Sequence, residues 1–285
     1  MIDAEASPDP AEQPRVRHRT RWIVLGVVGA LLVSFVAVFV VPLLFREEAE
    51  PVSLADASER FREEHPGVLE SEGPLVPAEG VYEYRGRGVD KLSVLSLEQQ
   101  QGPVMPATVE HDTHGCWRLR IDYSDKHWQD WKYCVVDTGA ALDEVAGTTW
   151  QRWDLGVSSI ENLTESSCSG PVLRAAMKPG DRWRQRCELT NDQVDGATAS
   201  AGPVRYRGIV DVDVAGEAVP AYHLVRERAI TGAQDGTEIT ELWIAPNGLP
   251  VHVVRTITLE SPSPVGDITY DETTDFRLAS LRPQG

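Results

Sequence analysis

Between Trp22 and Phe45 the chain carries no charged residue over 24 consecutive positions, WIVLGVVGALLVSFVAVFVVPLLF. At about 1.5 Å of rise per residue, a helix of that length crosses a hydrocarbon core roughly 30 Å thick with some tilt. The run predicts one transmembrane helix over 22–45, and no later stretch competes with it. Its flanks set the orientation of everything else. Arg15, Arg17, Arg19 and Arg21 precede it, and Glu47, Glu48 and Glu50 follow it. Arginine clusters stay on the cytoplasmic side, so the tail 1–21 is expected inside and the bulk of the chain outside. A cleaved signal peptide would have a shorter apolar region, about 7–15 residues, ending in a small-x-small site. Here the run ends PLLFREEAE, and no cysteine before Cys116 could carry a lipid. The expectation is an uncleaved signal anchor in the cell membrane, with an extracytoplasmic C-terminal domain. Gly26, Ala30 and Ser34 form a small-residue ridge on which two such helices could pair, although chance is the simpler reading.

Charge is distributed to match. The formal net charge is -17, yet residues 1–45 hold four arginines and four acids, so the whole excess lies beyond the anchor. An acidic surface of this kind argues against nucleic acid as a partner. Residues 46–80 carry ten acids and three arginines together with Pro51, Pro66, Pro74 and Pro77, and are expected to be an acidic stalk. Within it Ser53-Leu54-Ala55-Asp56 resembles a capping box and could start a short helix that Pro66-Gly67 ends.

All four cysteines, Cys116, Cys134, Cys168 and Cys187, fall outside the membrane by this topology. An even number in an oxidising compartment reads as two disulfides, with three pairings open. Cys116–Cys134 and Cys168–Cys187 are favoured, because each brackets one hairpin-like segment. For the first, strand alternation puts Cys116, Arg118 and Arg120 on one face, and a turn near Ser124-Asp125-Lys126 sets Arg120 opposite Asp130 and Leu119 opposite Trp131. The second turn, Lys178-Pro179-Gly180-Asp181, is not centred between its cysteines, so that bridge could join a loop to a strand. His111, His114, Cys116 and His127 would be the zinc alternative, but no zinc-site spacing exists and disulfides are preferred.

From residue 81 to 285 the texture is β. Strand-like runs are Val81–Arg87, Lys91–Leu97, Thr108–Asp112, Trp117–Tyr123, Trp128–Val136, Thr148–Leu155, Arg182–Leu189, Val204–Val214, Tyr222–Arg228, Glu238–Ile244, Val251–Leu259 and Ile268–Leu278. Asn247-Gly248 is a strong hairpin signal. The fold class expected is mainly β: one transmembrane helix plus an antiparallel curved β-sheet or half-barrel. Trp128-Gln129-Asp130-Trp131 and Trp150-Gln151-Arg152-Trp153 each space two indoles by three, which puts them on opposite faces of a strand.

Between Met177 and Val253 stand Pro179-Gly180-Asp181-Arg182-Trp183, then Gly216-Glu217, Pro220-Ala221-Tyr222, and Trp243-Ile244-Ala245-Pro246-Asn247-Gly248-Leu249-Pro250-Val251. This order resembles uncharacterised actinobacterial single-pass cell-envelope proteins whose sheets are similar to the curved half-barrels of lipoprotein carriers. The resemblance covers about a quarter of the chain and consists mostly of turn chemistry. It implies a concave face able to take an apolar ligand.

No nucleophile elbow, P-loop or dinucleotide fingerprint occurs, and scattered histidines and carboxylates select no acid–base pair. No enzyme activity, cofactor or metal is expected. The leading function is an extracytoplasmic binding protein of the bacterial envelope. Its ligand would be lipid or another apolar molecule against Trp117, Tyr123, Trp131, Tyr133 and Trp243, or its partner an envelope protein on the sheet edge. A structural or assembly component of an envelope complex is the alternative, and an envelope hydrolase ranks below both.

Overall fold

The computed structural model describes residues 48–66, 73–112, 115–156, 158–263 and 266–284. The tail, the span 22–45, the arginines at 15, 17, 19 and 21 and the ridge Gly26, Ala30, Ser34 lie outside the described residues. Among the described residues no helix is long and apolar enough to cross a membrane. Glu48–Trp153 and Ser159–Gly285 form one compact unit.

One helix and fourteen strands follow in chain order: α1 (Leu54–Glu64), β1 (Gly80–Leu92), β2 (Leu97–Gln101), β3 (Val104–His111), β4 (Cys116–Ser124), β5 (His127–Val136), β6 (Ala141–Asp154) and β7 (Ser159–Ser169). Then come β8 (Pro171–Leu173), β9 (Arg182–Asn191), β10 (Val194–Val214), β11 (Glu217–Gly232), β12 (Asp235–Ile244), β13 (Pro250–Ser261) and β14 (Ile268–Leu278). Neighbours pair as β14-β13-β12-β11-β10-β9-β7-β6-β5-β4-β3-β1, and β1 also pairs with β14. The last pairing runs from Tyr84↔Leu278 to Leu92↔Tyr270 and is antiparallel. It closes twelve strands into a ring. The expectation of a curved sheet or half-barrel is therefore corrected to a closed barrel, because the first and last long strands complete each other's hydrogen bonds. Strands β2 and β8 lie off the ring on β1 and β6.

Alternation then divides inside from outside. Tyr82 and Tyr84 on β1, Trp117, Leu119, Ile121 and Tyr123 on β4, and Leu242 and Ile244 on β12 are buried, while their neighbours face outward. The W-x-x-W pairs behave as expected: Trp153 is buried and Trp131 packs on the core, whereas Trp128 and Trp150 stack on each other on the outer wall, 6.4 Å apart. The predicted strand Lys91–Leu97 is corrected. Lys91 and Leu92 end β1, a 3-10 turn covers Val94–Ser96, and Leu97 opens β2.

The stalk expectation is also corrected over the described residues. The predicted helix forms, with the Ser53 hydroxyl accepting from the Asp56 amide at 3.3 Å. It does not stand free, because Ala57 and Phe61 pack on Val81 of β1. Before it, Glu50 is held to the β4–β5 turn by two bonds: Glu50 N donates to Asp125 Oδ1 at 2.7 Å, and Asp125 N donates to Glu50 O at 2.9 Å. After it, Leu75 and Val76 enter the core at the opposite end, where the Trp117 indole donates to Leu75 O at 2.9 Å. The Asn247-Gly248 hairpin sits against this segment. Gly248 has φ 93°, and a Cβ there would fall 2.5 Å from Leu75 O, so both backbone and space require glycine.

Phe61 is the chief apolar tie of α1. Phe61→Ala should cost about 3 kcal/mol in urea unfolding and expose the Leu54–Glu64 segment to proteolysis while the barrel stays resistant. An unchanged cleavage pattern would mean that the helix is not held by this contact.

Candidate functional site

The sequence directs attention to the cysteines and to the inward aromatic series. Both disulfides are present and paired as favoured, Cys116–Cys134 and Cys168–Cys187. The first lies on the outer face, with Cys116 opposite Cys134, Leu119 opposite Trp131 and Arg120 opposite Asp130. The second joins two paired strands, β7 and β9, rather than a loop and a strand. It faces inward, with Cys187 buried and Cys168 Sγ 3.8 Å from the Glu144 carboxylate. Because Cys116 is oxidised, it is no zinc ligand. His111 Nε2 lies 2.7 Å from Pro77 O, His127 Nδ1 lies 2.9 Å from Asp90, and His114 is outside the described residues. Elsewhere Glu64, His65 and Glu110 bring ligand atoms within 4.8 Å of one another at the surface, an arrangement exposed acidic groups often adopt without an ion.

Of the five aromatics expected to face a ligand, Trp117, Tyr123 and Tyr133 are buried in the barrel and Trp131 packs against them. Trp243 is on the other side of its strand. It is sandwiched between His223 and His252, with ring centroids 4.5 and 4.3 Å away, and those histidines bond Glu241 at 3.0 Å and Asp275 at 2.8 Å. Within the lumen, Leu119, Ile121, Tyr123, Trp131, Tyr133 and Phe276 line a cavity of about 20 Å³ together with Arg226 and Arg255. That volume holds a water or two and no acyl chain.

The space is closed by a layer of buried charge that the sequence reading did not anticipate. Arg226 Nη1 donates to Glu144 Oε2 at 2.6 Å, and its Nη2 is 3.7 Å from Glu238. Arg228 donates to Gln185 Oε1 at 2.9 Å and reaches Glu238 at 3.5 Å. Arg255 bonds Glu272 through Nε at 3.1 Å and Gln129 through Nη1 at 2.6 Å. Tyr270 hydroxyl links Glu272, at 3.1 Å, to Asp90, at 3.0 Å, and Asp90 also accepts from Gln101 at 2.9 Å. Strands β1, β5, β6, β9, β11, β12, β13 and β14 each contribute, so the layer spans the barrel.

Ionisation follows from this packing. Burial pushes the Glu238 carboxyl up, but Arg228, Arg226 and Arg255 overcome that and hold it at about 2. At Asp90 burial acts in the same sense and is outweighed by His127 and the bonds from Gln101 and Tyr270, so its carboxyl is lowered as well. Burial raises the Tyr123 and Tyr133 hydroxyls. These groups stabilise one another and are not poised to exchange protons near neutrality.

No protein-family model and no curated protein matches the chain. Among solved structures it is similar to the hypothetical lipoprotein YmcC from Escherichia coli (K12), at 11% identity over 81% of this chain and 100% of that one, with a TM-score of 0.34. A likeness that loose carries no argument.

Removing one member of the layer leaves a partner charged and dry. Arg255→Met should cost about 3–5 kcal/mol in urea unfolding, against about 1 kcal/mol or less for the exposed Arg85→Met. The depressed carboxyls also set a pH dependence. A carboxyl whose pKa is lower folded than unfolded stabilises the fold above its unfolded value, near 4.5 for Glu238, and that contribution is lost as pH falls toward 2. The urea midpoint should fall steeply across that window and less steeply in Glu238→Gln. Equal slopes in the two proteins would show that Glu238 is not held ionised.

Proposed function

We propose that the chain is a single-pass envelope protein, N-terminus cytoplasmic, whose barrel stands outside the membrane and binds through its outer wall without enzymatic activity. The observation that carries this reading is the filled lumen. Its inward aromatics pack on one another, and a cavity of about 20 Å³ among the described residues is flanked by Arg226 and Arg255. That packing weighs against an apolar ligand among Trp117, Tyr123, Trp131 and Tyr133. A partner adding a strand to a sheet edge loses most of its opportunity too, because β1 and β14 consume each other's edges and leave only the five-residue β2 and three-residue β8 off the ring. What remains for recognition is the wall and the loops.

The non-enzymatic reading is supported by where the titratable groups gather. Asp90, His127, Glu144, Arg226, Arg228, Arg255 and Glu272 are all buried and tied to one another, out of reach of a substrate. The extracytoplasmic placement is supported by the two disulfides, which persist in oxidising compartments, and by the arginine-flanked run 22–45.

Two measurements test the reading. Protease added outside intact spheroplasts should remove a C-terminal tag but not an N-terminal one. Mass spectrometry of the full chain purified in detergent should find no stoichiometric lipid that survives exchange into a second detergent. A retained lipid would return the ligand to the lumen, and a protected C-terminus would invert the topology.

A further inference from the structure

On a chain of net charge -17, one area of the barrel wall is basic. Alternation along β9 turns Trp183, Gln185 and Cys187 inward and leaves Arg182, Arg184 and Arg186 exposed on the outer face, at intervals of about 6.8 Å. On the neighbouring β10, Arg205 and Arg207 face the same way, and the turn carrying Lys178 is tied beside them by Gly180 N donating to Tyr206 O at 2.8 Å. The acids at its margin are Asp181, Glu188 and Glu227, all exposed. Arg186 reaches Glu188 at 3.5 Å, but among the described residues Arg182, Arg184, Arg205 and Arg207 make no ion pair.

Two features of this area work against the isolated fold. The register sets Arg182 directly opposite Arg205, and like charges in that position repel. The Nε of Arg205 is buried and has no hydrogen-bond partner. A buried donor without an acceptor costs free energy, as it also does at the Nε atoms of Arg226 and Arg228 in the lumen.

We infer that this face of β9 and β10 is a binding site for an extended polyanion bearing phosphodiester groups. The inference rests on the wall-binding reading above and gives it a ligand class. Guanidinium groups pair with phosphate through parallel N–H donors, and a tetrahedral phosphate lying between two strands can accept from Arg182 on one side and Arg205 on the other. The recurrence of arginine along β9 suits a chain with repeated charges rather than one small anion.

An anionic bilayer would offer the same phosphate chemistry in a flat array, and the vesicle arm of the test separates it from a polymer. Every pairing from β9 round through β1 to β4 is antiparallel, so β9 and β4 run the same way. Arg182 therefore opens its strand at the end where Cys116 opens β4, opposite the β4–β5 turn that holds Glu50.

The test uses the full chain in nanodiscs of zwitterionic lipid, titrated with poly(glycerol phosphate), poly-L-glutamate and phosphatidylglycerol vesicles. Poly(glycerol phosphate) should bind tightest, with an affinity that falls as salt rises. The triple variant Arg182→Ser, Arg184→Ser, Arg207→Ser should lose roughly ten-fold and show a flatter salt dependence, by about one unit of slope per contact removed. The matched variant Arg85→Ser, Arg87→Ser, Arg277→Ser takes the same charge from the exposed face of β1 and β14 and should bind as the parent does. No binding by the parent, equal losses in the two variants, poly-L-glutamate binding as tightly, or a preference for vesicles would each overturn the inference. A lipid found in the lumen would instead overturn the wall-binding reading, and that result comes from mass spectrometry independently of these titrations.

Discussion

The antiparallel pairing of β1 with β14 is the constraint on which the rest of the molecule depends. Nine Cα partnerships, from Tyr84↔Leu278 to Leu92↔Tyr270, join strands almost two hundred residues apart and turn a meander into a tube. A sheet left open at that seam would present two long edges and a wet concave face. Once closed, every inward side chain shares one interior, and each must either pack or find a partner there. The aromatic series on β4 and β5 meets the first condition. The arginines and carboxylates of β11 to β14 meet the second.

That charged layer occupies part of the tube's interior. Taking three arginines and their carboxylates out of water carries a desolvation cost that pairing only partly recovers, so such groups are tolerated where several bonds converge on each. Arg255 illustrates the point, with Glu272, Gln129 and Tyr123 all around its guanidinium. Exchange of these partners for a ligand would strand charges in a low dielectric. The layer therefore fixes which strands face one another and at which height.

Much of the local structure was legible in the residues. Alternation along Cys116–Tyr123 and Trp131–Val135 gave the β4–β5 register to the residue, since an error of one would have exposed Leu119 and Ile121. The Ser53 cap and the Asn247-Gly248 turn depend only on neighbours in sequence, and they form as read. What escaped depends on distance or on polarity turned inward. Closure was invisible because no feature of Tyr84 or Phe276 announces its partner. Strand β7 was missed because its inward positions are Asn162, Thr164, Ser166 and Cys168, which satisfy themselves through Asn191 and Gly147 and show no apolar rhythm. In Leu224-Val225-Arg226-Glu227-Arg228, both faces carry one charge and one aliphatic side chain at the least, so the pattern alone could not say that the arginines point in.

The same ambiguity bears on where function resides. Of the arginines on adjacent strands β9, β10 and β11, those on β11 are neutralised in the lumen, and those on β9 and β10 stand on the wall with few counter-charges. A sequence reader sees one basic stretch in an acidic protein. The fold sorts it by parity into two populations with opposite fates. The inner population is ion-paired with Glu144 and Glu238, although the Nε atoms of Arg226 and Arg228 are left without a partner. The outer one leaves Arg182 facing Arg205 with no carboxylate between them. Like charges in register on that face add nothing to stability, so the outer population accords with a role in what approaches from outside.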